Sequence, residues 1–301
     1  MTENFNILIT ETNNPDTVGI DRCTTLDMVK MINNEDKKVA LAVEKVSEQI
    51  ACAIDLAALK LAAGGRMLYF GAGTSGRLGI IDAGECPPTY GTSPDMVQGI
   101  IAGGPGAVFN AAEGNEDNEQ EGIGAVRNLN VTEKDVVVGI AASGRTPYVI
   151  GVLKEGKAVN ALTVGICNNP DTPMSKLADV TISPVTGPEV IQGSTRMKAG
   201  TAQKMVLNMI STGVMIKLGK VYRNLMVDMK SSNEKLYNRA ARIVSDATGA
   251  DFATSVQMLT KTGYDIKKAV TAILLNTDVD TAESILIKNN GYIYKAIKET
   301  E

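Results

Sequence analysis

Apolar residues recur at steps of three and four through Val39, Val43, Val46, Ile50, Ile54, Ala57 and Leu61. That spacing predicts one long amphipathic helix from Glu35, closed by Gly64 and Gly65, after a shorter helical piece over Thr24 to Ile32. Past Gly65 the pattern changes to short apolar runs separated by helical stretches. Met67–Phe70, Val97–Ala102, Val136–Ala142, Leu162–Ile166 and Val180–Ser183 read as five strands. Strands this apolar, alternating with helices, belong to a parallel sheet covered on both faces. Such sheets bind ligands at the carboxyl ends of their strands. Arg196 to Leu218 reads as a long buried helix. From about Ser232 only helices are expected, over 233–247, 251–261, 266–275 and two short pieces up to Lys298. The expected organisation is an N-terminal helical segment (1–56), an α/β domain (57–220) and a C-terminal helical region (221–301).

A chain of 301 residues corresponds to roughly two domains at about 150 residues each and buries a core without disulfides or a structural metal. The net charge of −4 argues against a nucleic-acid binder, which needs a basic face. Histidine is absent, which excludes a Ser-His-Asp triad and any imidazole zinc site. Acid–base chemistry near neutral pH falls to Glu, Asp, Lys, Tyr or Cys. Cys23, Cys52, Cys86 and Cys167 show no CxxC spacing and fit a reducing compartment. Met1 to Leu8 lacks a basic region and a sufficient apolar stretch, so no export signal is expected. The run Met205 to Ile216 is too short to span a bilayer.

Three loops carry hydroxyls into helices. After the first strand, Gly71, Gly73 and Gly76 satisfy GxGxxG, so a dinucleotide site must be weighed. That site needs an acid at the end of the second strand, where this chain has Gly103-Gly104. Thr74 and Ser75 instead set two hydroxyls and free amides at a helix N-terminus, which suits a phosphate monoester. The third strand leads into Ser143-Gly144-Arg145-Thr146-Pro147. The loop Gly193-Ser194-Thr195-Arg196-Met197-Lys198 opens the long helix with two cations. Helix capping accounts for any one of these loops alone. Together they favour a phosphosugar pocket, with Gly73, Thr74, Ser75, Ser143, Arg145, Thr146, Ser194, Thr195 and Lys198 as candidate binding residues and Arg196 as a further cation.

Two carboxylates stand out. Glu85 precedes Cys86-Pro87-Pro88, where the prolines fix the chain, and its simpler reading is a partner for Arg77 or Lys198. Glu116 sits in an acidic run, Glu113 to Glu119, that also reads as a solvated helix face. Cys86 reads as a packed thiol, with no base adjoining it in sequence.

Residues 71–91, Gly-Ala-Gly-Thr-Ser-Gly-Arg-Leu-Gly-Ile-Ile-Asp-Ala-Gly-Glu-Cys-Pro-Pro-Thr-Tyr-Gly, resemble the signature of the bacterial N-acetylmuramic acid 6-phosphate etherase family. Val138 to Tyr148, Gly193 to Thr201, Asn224 to Asp228 and Asn233 to Leu236 extend the resemblance, which runs from about residue 8 to the C-terminus. One departure is Gly84, where the family has Ser. The resemblance implies an α/β fold of the sugar isomerase (SIS) type, a doubly wound five-stranded parallel sheet with N-terminal helices and a small C-terminal helical bundle similar to ubiquitin-associated domains. It implies a cytoplasmic, homodimeric carbon–oxygen lyase of peptidoglycan recycling, acting on a small phosphosugar without metal or organic cofactor, nucleic acid or membrane. N-acetyl-D-muramate 6-phosphate and water would give N-acetyl-D-glucosamine 6-phosphate and D-lactate. The residue matching Glu85 would be the proton donor, and Glu116 a second active-site residue, which we take as the base.

The chemistry stands independently. Ring opening exposes an aldehyde that acidifies carbon 2. One carboxylate removes that proton, and a protonated carboxyl gives one to the departing lactate oxygen at carbon 3. The donor must hold its proton above the ordinary Glu value of about 4.3. Burial beside Pro87 and Pro88 and neighbouring substrate anions are expected to achieve this. Two other classes remain open: a phosphosugar-sensing regulator resembling glucokinase regulatory protein, and an aldose–ketose isomerase, which needs no acid at carbon 3.

Overall fold

The structure, a computed structural model, describes residues 8–110, 114–231 and 233–300. It divides into two compact units. The first takes in the described residues up to Gly84 and Asp95–Ser211; the second takes in Glu85–Pro94 and the chain from Thr212 onward.

In the first unit, helices α1 (Thr25–Glu44) and α2 (Ser47–Ala62) precede strand β1 (Met67–Gly71). The single helix expected from Glu35 to Leu61 is therefore two, and the piece at Thr24 to Ile32 belongs to the first of them. The Val46 amide donates to the Val43 carbonyl, a tightened turn that interrupts the ladder. Buried positions run through Val39 and Val43 to Ile50 and Ala57. The seven residues from Val43 to Ile50 preserve the apolar phase across the break, so periodicity cannot show it.

The sheet continues with β2 (Val97–Ile101), β3 (Val136–Ile140), β4 (Leu162–Ile166) and β5 (Val180–Ile182). All pairings are parallel and the order is β2-β1-β3-β4-β5. Between the strands lie α3 (Gly73–Tyr90), α4 (Glu119–Asn128), α5 (Pro147–Ala158) and α6 (Pro173–Leu177), and α7 (Lys198–Lys217) follows β5. Leu68, Phe70 and Val137 pack with Tyr148, Val149, Val152 and Leu153 of α5 on one face. On the other, Gly79 of α3 lies against Tyr69 and Ile140. Buried Asp82 of α3 accepts hydrogen bonds from Tyr69 (2.9 Å), Asn208 (2.6 Å) and Ser211 (3.1 Å), tying β1 and α7 to α3.

Helices α4 and α5 meet through glycines. A Cβ on Gly151 would stand 2.1 Å from the Glu119 carbonyl, and one on Gly122 would stand 2.0 Å from that of Tyr148. This crossing sets the segment that leads into α4 against the start of α5.

The second unit holds a hairpin, β6 (Val221–Tyr222) and β7 (Leu225–Met226), and helices α8 (Glu234–Thr248), α9 (Phe252–Lys261), α10 (Ile266–Leu274), α11 (Val279–Lys288) and α12 (Ile293–Thr300). The hairpin is missing from the sequence reading because two-residue strands carry no periodicity. Its signal is the Arg223-Asn224 pair between apolar residues, with Arg223 at φ +53°. Asn233, Asp251, Asp265 and Asp278 cap α8 to α11 through their side chains, and Val244, Leu259, Ile266 and Val270 share one core. No helix among the described residues is long and apolar enough to cross a membrane.

Overpacking a core typically costs about 1–3 kcal/mol, and here the obstacle is a backbone carbonyl that cannot rotate away. Gly151→Ala is therefore expected to lower the unfolding free energy by at least about 2 kcal/mol in urea titrations. An unchanged midpoint would show that α4 and α5 part freely.

Candidate functional site

The strand order reverses at β1: the chain steps to β2 on one side, then returns to lay β3 on the other. Ligand crevices in open α/β sheets form at such a switch point, outside the carboxyl ends of the strands. Gly71 of β1 is in register with Ile140 of β3, so the loops opening α3 and α5 flank it.

The α3 loop is a tight turn. A Cβ on Gly76 would meet the Gly71 carbonyl oxygen at 2.6 Å, and Gly73 takes a left-handed φ of +53°. The helix starts at Gly73. The Gly76 amide returns to the Ala72 carbonyl, whereas the Gly73, Thr74 and Ser75 amides find no acceptor among the described residues. The Thr74 hydroxyl is likewise without a partner there. Ser75 is buried, and its hydroxyl donates to Oε1 of Gln203 at 2.8 Å.

At the α5 loop, the Arg145 amide donates to the Ser143 hydroxyl oxygen at 3.2 Å, which leaves the Ser143 proton available. Thr146 occupies the cap position of α5 without a side-chain capping bond. Capping thus does not account for its hydroxyl. The Arg145 Nε is buried and has no acceptor among the described residues, an orphan that a ligand anion would satisfy.

The third loop differs. Glu189 is fully buried, and its carboxylate accepts from the Lys198 and Ala199 amides, each at 2.9 Å. The next two amides of α7 return to Thr195 and Met197. This N-terminus is closed by a protein carboxylate and has no donors left for an anion. Lys198, read from sequence as a candidate for substrate anions, is buried and pairs with Glu35 at 2.5 Å. Ser194 and Thr195 are half-buried with unpartnered hydroxyls among the described residues, and Arg196 is exposed. Burial alone would raise the Glu35 carboxyl, but hydrogen bonds from Lys198, Lys38 and Asn14 prevail and hold it at about 2. For Glu189 burial wins, and its carboxyl is pushed up despite the two amides.

The two glutamates occupy unlike settings. Glu85 lies on α3, which continues through Pro87 and Pro88. It is exposed while Cys86 beside it is buried. The burial expected next to the prolines is not found: α3 runs on through them and Glu85 stays exposed. Arg77 and Lys198 are engaged elsewhere, Arg77 with the Ala107 and Val108 carbonyls. Glu116 stands in a single 3-10 turn, Asn115–Asp117, on the chain leaving the carboxyl end of β2. In its acidic run, Glu119 pairs with Lys154 and Asn118 caps α4, while Glu121 just beyond takes the Gly103 amide. Glu116 and Asp117 remain exposed and unpartnered among the described residues; Glu113 lies outside them. Among the described residues no cluster of three or more acidic or cysteine ligands could hold a metal.

Gln203, Glu189 and Glu35 were missed in the sequence. Only Gln203 carried a local signal, a polar residue on a largely apolar helix; Glu189 lies in the loop before α7 and Glu35 in the polar run Asn33 to Lys38 of α1, where residue type gives none.

Models of three known domains match the chain: the glucokinase regulatory protein N-terminal SIS domain over residues 49–157, the SIS domain over 119–212, and the C-terminal lid domain of glucokinase regulatory protein over 223–289. The five-stranded parallel sheet and its loops are those of an α/β SIS-domain protein. Full-length relatives narrow this. The N-acetylmuramic acid 6-phosphate etherase of Clostridium beijerinckii is 54% identical over 99% of this chain and 98% of its own length. Those of Clostridium botulinum (strain Okra) and Caldanaerobacter subterraneus are each 56% identical over 97% of this chain, covering 97% and 95% of their own. The chain belongs to the N-acetylmuramic acid 6-phosphate etherase family. Among solved structures, a phosphoheptose isomerase from Francisella tularensis is similar at 14% identity and a TM-score of 0.49, over 64% of this chain and 100% of that one.

The buried Glu35–Lys198 pair generates a pH prediction. A carboxyl held at about 2 against an ordinary 4.5 stabilises the fold above the unfolded value, and that contribution disappears as pH falls toward 2. Its size is on the order of 3 kcal/mol. Glu35→Gln should therefore be much less stable than the parent at pH 5 to 6 in urea titrations, with the deficit narrowing toward pH 2. An equal deficit at both ends would detach Glu35 from the acid sensitivity.

Proposed function

We propose that this chain cleaves the D-lactyl ether of N-acetyl-D-muramate 6-phosphate, giving N-acetyl-D-glucosamine 6-phosphate and D-lactate in the recycling of peptidoglycan amino sugars. Kinship at 54–56% identity over nearly the whole chain carries this reading. The local chemistry agrees with it. Free amides of α3, the Ser143 proton and the orphaned Arg145 Nε provide donors for a phosphosugar at the switch point. The phosphate-binding residues are then Gly73, Thr74, Ser143, Arg145 and Thr146, with Ser75 beside them and Ser194 and Thr195 on the neighbouring loop. Lys198 acts indirectly, by holding α7 through Glu35.

In the reaction, Glu116 takes the proton from carbon 2 of the open-chain aldehyde. Glu85 gives a proton to the ether oxygen as the bond to carbon 3 breaks, and water then adds at carbon 3. The functional segments are 1–56, the phosphosugar-binding 57–220 and the helical 221–301. Four free cysteines fit action in the cytoplasm.

We also propose a homodimer. Cys52, Leu56 and Leu59 form an exposed stripe on α2 at helical spacing, with Leu59 70% exposed, and an apolar stripe of this kind suits a second copy. Sedimentation should report twice the 31.8 kDa chain mass; a monomer at micromolar concentration would remove the proposal.

In ¹⁸O-water, label should enter the sugar and not lactate, since elimination breaks the bond between carbon 3 and oxygen. Labelled lactate would mean attack at the lactyl carbon. Glu85→Gln should abolish lactate release yet retain deuterium exchange at carbon 2 of N-acetylglucosamine 6-phosphate, whereas Glu116→Gln should lose both. The reverse pattern would exchange the roles, and full lactate release by both variants would leave neither residue catalytic.

A further inference from the structure

The division between the two units falls inside one helix, between Gly84 and Glu85 of α3. Two prolines give that division a physical cause. In an unbroken helix the amides of residues 87 and 88 would return to the carbonyls of Ala83 and Gly84. Pro87 and Pro88 have no amide proton, so neither bond forms. Both would cross the step from Gly84 to Glu85, and the helix holds that step by fewer bonds than a complete ladder. The last turns of α3 therefore take their direction from what they pack on, which is the second unit.

Three contacts hold them there. Tyr90, the last residue of α3, is buried, and its hydroxyl donates to Oγ1 of Thr212 at 3.1 Å. The Tyr90 carbonyl accepts from the Lys220 ammonium at 3.1 Å, a cation at a helix C-terminus where the dipole favours one. Gly91 turns the chain with φ +62°, and a Cβ there would stand 2.2 Å from the Asp228 carbonyl oxygen.

Asp228 governs the second of these contacts. Its Oδ2 accepts from Lys220 at 3.0 Å, and its Oδ1 faces the Lys267 ammonium at 2.7 Å. Lys220 precedes β6 and Asp228 follows β7, so the hairpin brings the two together, while Lys267 comes from the first turn of α10. All three side chains are less than a fifth exposed. Val227 and Met229, on either side of Asp228, are buried in the core of the bundle, which fixes its backbone. Without the carboxylate charge, two half-desolvated ammoniums face each other with no anion between them. Their repulsion drives Lys220 off the Tyr90 carbonyl.

We propose that Asp228 is a positioning residue for Glu85: by keeping Lys220 on the Tyr90 carbonyl, it fixes the turns of α3 that the prolines release from the helical ladder. The inference rests on the reading of Glu85 as the proton donor and adds to it a role for the helical region.

Two variants test this. Asp228→Asn keeps the shape and removes the charge, and Lys220→Gln withdraws the ammonium from Tyr90. Two rates are followed on one preparation of the full chain. Lactate release from N-acetylmuramate 6-phosphate needs the acid, whereas deuterium exchange at carbon 2 of N-acetylglucosamine 6-phosphate needs only the base. A displacement of about 1 Å costs up to about a hundredfold in rate. Both variants should lower kcat for lactate release about ten- to a hundredfold, with KM and exchange within about twofold of the parent. The ratio of the two rates does not depend on how much of a variant is folded. Lys268→Ala, which removes a separate pair with Glu283 in the same unit, should keep the parental ratio. A merely structural cluster would lower lactate release and exchange together. That result overturns the proposal, as does an unchanged ratio in both variants or an equal skew in Lys268→Ala. Failure of the underlying reading is distinguishable and would overturn the proposal with it: the parent would release no lactate, or Glu85→Gln would release it in full.

Discussion

With β2 on one side of β1 and β3 on the other, the chain leaves two adjacent central strands toward opposite parts of the sheet. The loops after β1 and β3 consequently part rather than cover each other, and a crevice opens where two helices begin. Most of what the first unit offers a ligand depends on that reversal. It sets the loop that opens α3 and the turn that opens α5 at the carboxyl ends of neighbouring strands. The glycine contacts between α4 and α5 then fix the start of α5 against the segment that carries Glu116.

Helix N-termini are alike in their intrinsic electrostatics, yet this fold uses them differently. At α7 the buried carboxylate of Glu189 satisfies the first amides, and Lys198 is neutralised by Glu35. A buried ion pair is costly to form and costlier to break on one side, so these groups belong to the frame. At α3 no protein acceptor among the described residues fills the same role, and its first amides stay free. The buried chain in which Ser75 donates to Gln203, Gln203 to Asn168 and Asn168 to the Pro184 carbonyl belongs to the frame as well.

The five strands, the bundle helices and the glycine turn were readable because each is a local pattern. Buried parallel strands are continuous apolar runs, N-caps are Asn or Asp before a helical stripe, and Gly71, Gly73 and Gly76 answer to steric demands within a few residues. The two candidate glutamates and the hydroxyl loops were likewise visible from residue type and from a signature spanning residues 71–91. Tertiary structure decided the rest. The break between α1 and α2 preserves the apolar phase, so only hydrogen bonding reveals it. Lys198 carries the same charge in any sequence reading, but Glu35, 163 positions away, determines that it faces inward. Whether Ser75 donates or accepts depends on Gln203, Asn168 and Pro184, which the fold alone brings together. Long-range pairing of buried polar groups leaves no periodicity in a sequence, because its partners are set by topology rather than by spacing along the chain.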